Sequence, residues 1–146
     1  MSDAVDHSHY VDTWMERAGK DLSQGQLLKL FQQATTALWN RAHLTLGAVT
    51  LTAIMDRVLY NASEKFPPFG LLKMEAHGID CQELLKRGEV YNDRKLREGI
   101  RFVVLELLVV IGNLTGELLT PALHSELSKV MAMKPPLSGK SAEGKP

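Results

Sequence analysis

Five histidines, one cysteine and a scatter of carboxylates are the side chains here that could do acid–base, nucleophilic or metal chemistry. Their spacing decides how much of that chemistry is open to them. A metal-binding helix needs ligands that return to one face, as in His-Glu-x-x-His or Glu-x-x-His. Glu75-Ala-His77 has the wrong spacing, and His7-Ser-His9 stands alone near the terminus, so no metal is expected. His124 and Ser125 are sequence neighbours, and a helix points neighbours apart. Cys81 has no second cysteine to pair with and reads as a small buried hydrophobe. There is no glycine-rich phosphate loop and no Cys-x-x-Cys. The chain is expected to be no enzyme and to carry no cofactor.

His43 stands apart from the others. It falls on the polar row Lys29, Gln33, Thr36, Asn40, His43, Gly47, Thr50, which would face water on a helix. A histidine that accepts a phosphoryl group needs an exposed ring nitrogen and room for a docking partner, and a glycine one turn along supplies room. The segment His43-Leu-Thr-Leu-Gly47 resembles the His-x-x-x-Gly core of histidine phosphotransfer domains, which are helical bundles near this length. It departs from them at Leu46, where that family often has lysine. The resemblance implies a phosphorelay carrier with His43 as phosphoacceptor.

The element that must organise any site is Ile100 to Leu119, written IRFVVLELLVVIGNLTGELL. Its length favours a helix over a strand despite the valines and isoleucines. Asn92 offers a cap and Asp93 a carboxylate at the positive end of the helix dipole. Gly99, Glu106, Asn113 and Glu117 make one narrow, weakly hydrophobic stripe on an otherwise apolar cylinder. A helix is expected over about 93–119, covered on nearly all sides by its own chain or a second copy. Glu106, Asn113 and Glu117, with the charges between Arg94 and Arg101, argue against a membrane span. Gly112 and Gly116 form a Gly-x-x-x-Gly pair that could bring a backbone close, within one subunit or between two. A buried Glu106 would need a partner such as Arg41, Arg57 or a residue of another copy; otherwise it faces water through a gap in the cover. Gly112, Gly116, Glu106 and Asn113 are therefore the candidate interface residues.

The remaining chain supplies the cover. Tyr10, Val11, Trp14, Met15 and Ala18 predict a short helix from His9 to Leu22. The row Leu27, Leu30, Ala34, Ala37, Arg41, Leu44, Ala48, Leu51, Met55, Val58, Ala62 predicts an amphipathic helix from Ser23 to Lys65. Unbroken, it would be about 60 Å long, too long for a compact domain of this size. A bend near Gly47 is expected, among threonines that form helix poorly. Pro67-Pro68 ends this element, and 71–79 predicts at most a short extended segment. Asp80, with Glu83 at the capping-box position and Gly88 as a stop, predicts a small helix. Thr120-Pro121 starts a last helix that runs to Met131.

The fold class is then all-α, a bundle of about five helices. Residues 1–8 are expected to be loose, 9–133 to form one helical domain, and 134–146, rich in Pro, Gly, Ser and Lys, to be a disordered tail or linker. Seventeen basic residues balance seventeen acidic ones, which disfavours a nucleic-acid partner. The polar start and the single cysteine fit a cytoplasmic protein; the sequons at Asn61 and Asn113 are then chance matches. Surplus apolar surface predicts a non-enzymatic regulatory or interaction module that dimerises through helix faces, with a further protein partner possible. A small-molecule sensor is the other alternative, its apolar pocket lined by Trp14, Trp39, Phe102 and the methionines.

Overall fold

A computed structural model of the chain describes residues 6–75, 78–87 and 92–131. The expected tail over 134–146, most of the loose N-terminus and the stop at Gly88 lie outside the described residues. Within them the fold is all-α with five helices, as the hydrophobic periodicity predicts, and one small hairpin.

Helix α1 runs His7–Ala18. It starts before the expected His9 because the Asp6 carboxylate caps it, accepting from the His9 amide at 2.9 Å. Helix α2 runs Gln24–Lys65 behind a reciprocal capping box: Ser23 Oγ accepts from the Gln26 amide and Gln26 Oε1 from the Ser23 amide. The expected break falls at Gly47, which takes φ 82° and ψ 165°, a region that is essentially glycine's alone. The break is a reversal. Phe31 in the first limb and Phe69 beyond the second have ring centroids 6.1 Å apart, whereas a straight helix would hold them about 50 Å apart. One amphipathic row thus becomes two limbs that share a core.

Pro67–Leu71 forms a 3-10 turn, and its Phe69 is buried beneath the bundle. The extended segment is a short antiparallel hairpin. Strands β1 (Lys73–Glu75) and β2 (Gly78–Asp80) pair Lys73 with Asp80, Met74 with Ile79 and Glu75 with Gly78. Asp80 Oδ1 then accepts from the Gln82 amide at 3.0 Å and leads into α3 (Gln82–Arg87).

Helix α4 runs Asp93–Leu114, with Asn92 capping the Lys95 amide at 2.8 Å. It stops short of the expected Leu119. Gly116 takes φ 60°, the Glu117 amide donates to Gly112 O at 2.7 Å, and the Gly116 amide donates to Asn113 O. That bond pattern is a Schellman stop, in which a left-handed glycine lets the chain close the last turn. Hydrophobicity carries on past the stop, so periodicity alone overran it. Helix α5 (Thr120–Lys129) folds back from there.

Helix α4 packs its Leu96, Ile100, Val103, Val104, Leu107, Leu108 and Ile111 face against both limbs of α2, α1 and α5. Each such side chain, once buried, contributes about 1.5–3 kcal/mol. The cover is less complete than expected for so apolar a helix: Phe102, Leu105, Val109 and Val110 are only partly buried.

Candidate functional site

Two features of the bundle could do something beyond holding it together. The first is the open side of α4. Glu106 and Val110 form one wall of a cleft of about 470 Å³; the second limb of α2 forms the other, with Val49, Thr50, Ala53, Ile54, Arg57, Val58 and Asn61. Helical geometry puts Phe102, Leu105, Glu106, Val109 and Asn113 on one side of α4, where Phe66 and Lys65 pack on the Phe102 ring. Val49, at the rim, is 86% exposed. Two charges interrupt this apolar surface, Arg57 and the half-exposed Glu106. By sharing the cleft they bring one cation and one anion onto the same face.

The expected interface residues divide. Glu106 lines the cleft and Asn113 is exposed on the same side of α4. Gly112 is buried on another side, under the Glu117 carboxylate. Gly116 lies beyond the helix, exposed in the turn. The Gly-x-x-x-Gly pair therefore spans a helix end and presents no shared packing face.

The second feature is polar. Among the described residues His7, Thr35 and Thr120 are the buried polar side chains. Thr35 is satisfied by its own helix, donating to Gln32 O. The other two converge on Glu117, in the turn between α4 and α5. His7 Nε2 is 3.1 Å from Glu117 Oε1, and Thr120 Oγ1 donates to the same oxygen. On its other side His7 Nδ1 is 3.0 Å from His124 Nε2. Tyr10 stacks on the His124 ring with centroids 4.0 Å apart, and its hydroxyl donates to His124 O at 2.9 Å.

The Thr120 hydroxyl, aided by His7, holds the Glu117 carboxyl below the usual range against the opposing effect of burial. Burial, then the neighbouring His7, pushes the His124 imidazole down, with Glu117 opposing. The result is a hydrogen-bonded row, Glu117–His7–His124, that ties α1 to α5 and to the α4 stop. No group of three or more His, Cys, Asp or Glu side chains placed to hold a metal ion occurs among the described residues.

The other candidates are placed as follows. His43 is exposed, with its ring stacked on Trp39 at 6.1 Å. Gly47, which the sequence offered as room beside it, is required by the backbone reversal instead. Trp14 and Trp39 are packed into the core, and neither they nor Phe102 line the cleft. Cys81 is fully buried. By length and composition α2 would pass for a membrane-crossing helix, but Gly47 breaks it and both limbs pack on the bundle.

Sequence reasoning missed the polar row. Spacing sets His7 beside His9 and His124 beside Ser125, yet the partners are 117 residues apart. No local spacing carries that signal. No family model, curated protein or solved structure matches the chain.

Proposed function

We propose that this chain is a non-enzymatic interaction module that pairs with a second copy of itself across the open side of α4 and the cleft beside it. The observation that carries this reading is that apolar side. Phe102, Leu105, Val109 and Val110 stay only partly buried on one side of α4, beside an exposed Val49. A surface of that kind is costly in water and marks an interaction site.

The charges favour a second copy as the occupant. A twofold interface sets each residue against its counterpart's neighbours, so contact i to j occurs twice. A cleft with one cation and one anion can satisfy itself in that arrangement, Arg57 of each copy meeting Glu106 of the other. A partner of single-signed charge would leave one of the two unpaired, which is unfavourable at a buried interface.

The test is sedimentation equilibrium. The native chain should dimerise at micromolar concentration and Leu105→Glu should be monomeric. Arg57→Glu and Glu106→Arg should each weaken pairing, and the two together should restore it. A native chain that stays monomeric up to the order of 100 µM, a Kd weaker than about −5.5 kcal/mol, overturns the proposal.

The exposed ring of His43 supports one rival, a phosphoacceptor. Incubation with phosphorylated response regulators would then leave an acid-labile label that is lost in His43→Gln. No label from several donors removes it.

A further inference from the structure

We propose that the His7–His124 contact is a proton-operated latch, fastening the start of α1 to α5 near neutral pH and releasing when the two rings take up a second proton. It stands on the polar row alone and needs no dimer.

The proton count runs along Glu117, His7 and His124. With both imidazoles neutral, His7 Nε2–H donates to Glu117 Oε1 and His7 Nδ1 accepts from His124 Nε2–H. A first proton is absorbed with every heavy atom in place. His7 becomes an imidazolium that donates from both nitrogens, to Glu117 and to a His124 that has switched tautomer. A second proton has no such solution. Both facing nitrogens, 3.0 Å apart, then carry hydrogen. Two donors meet with no acceptor, and two cations lie side by side, His7 buried and His124 partly so.

The groups around the pair leave it no other outlet. The charged groups acting on His124 are His7 from α1 and Glu117 from the turn. On α1, Asp6 is engaged with the His9 amide, and Asp12 is paired with Arg101 of α4, which also donates to Ser8. Exposed His9 acts on Asp12, and Tyr10 covers the His124 face. The resistance of His124 to protonation agrees in direction with this count.

The separation also limits what moves. His7 as a cation keeps Glu117, so the bond that fails is the one to the His124 ring, while the Tyr10 hydroxyl stays on His124 O. Trp14 Nε1 donates to Val130 O and Arg17 to Ser128 O farther along α1, and neither bond involves the two imidazoles. Loosening is confined to the His7 end of α1, ahead of Tyr10.

Amide hydrogen exchange on the full chain tests it at about pH 7.5 and about pH 5, with rates corrected for intrinsic chemistry. Amides in the first turn of α1 should lose about tenfold protection relative to α4 core amides at the lower pH. In His124→Gln, whose side chain still hydrogen-bonds and does not titrate, that pH-dependent loss should vanish; His7→Gln serves if the first variant fails to fold. Equal relative protection at both pH values, or the same loss in the variant, overturns the latch. Ring proton titrations of the native chain give an independent reading. Two coupled steps are expected, and two independent single-site curves overturn it.

Discussion

The Glu117 carboxylate rests on the backbone of Gly112: a Cβ built at that glycine would stand 2.6 Å from Glu117 Oε1. The carboxylate cannot simply swing away, because His7 and Thr120 both hold it. Gly112→Ala should therefore destabilise by about 1–2 kcal/mol, through overpacking and lost hydrogen bonds. In a Glu117→Ala background the same change should turn neutral or stabilise by up to about 1 kcal/mol, since alanine is the better helix former. Urea unfolding of the four chains gives the coupling.

Gly99 is the stricter glycine. A Cβ there runs into the Phe69 ring, which is itself buried. A ring edge in a packed core has nowhere to go, so Gly99→Ala should cost about 2–3 kcal/mol. Pairing it with Phe69→Leu should recover part of that loss relative to Phe69→Leu alone, read as denaturation midpoints at constant slope.

Gly47 and Gly116 separate backbone from packing. Neither has an atom within 4 Å of a built Cβ, and both have positive φ. At Gly116, φ 60° is a left-handed position that other residues reach at about 1 kcal/mol. At Gly47, ψ 165° moves the residue into a region closed to them. Gly47→Ala should cost about 2–3 kcal/mol and Gly116→Ala about 1 kcal/mol, both by thermal unfolding.

Acid should lower stability in the carboxylate range. The Arg101 guanidinium holds Asp12 below its usual value, and Thr120 with His7 does the same for Glu117. A carboxyl depressed in the folded state binds fewer protons than the unfolded chain. Its contribution is present above the unfolded value, about 4, and is lost as pH falls through the lower folded one. The melting midpoint should fall as pH drops from about 5 to about 2, and less steeply in Glu117→Gln.

Cys81 should report unfolding. Burial, with Asp80 beside it, pushes its thiol up to about 12. The thiolate is the reactive form, so alkylation of the native chain near pH 8 should be slow and should rise with denaturant along the unfolding curve. Rapid labelling of the folded chain would contradict this burial.

How much of this was legible beforehand follows from the range of each interaction. Asn92, Ser23 and Gly47 act on their own turns, so caps and the bend could be read from neighbours a few residues away. The end of α4 was misjudged because Leu118 and Leu119 continue the apolar run, while the stop depends on backbone bonds that close only once Gly116 turns left-handed. Of the expected stripe, Glu106 and Asn113 do share an outer side of α4, whereas Gly99 is buried against Phe69 and Glu117 lies beyond the helix end. What opposes that side across the cleft was not legible.

The sequence by itself determined that the chain is helical, where most helices begin, and which face of each is apolar, because periodicity and capping are local. Only the tertiary structure decided that the two limbs of α2 fold together, that α4 keeps an open apolar side, and that His7, Glu117 and His124 form one row. Those depend on which surfaces meet after the chain reverses at Gly47 and again at Gly116, and groups brought together across 117 residues leave no trace in their spacing.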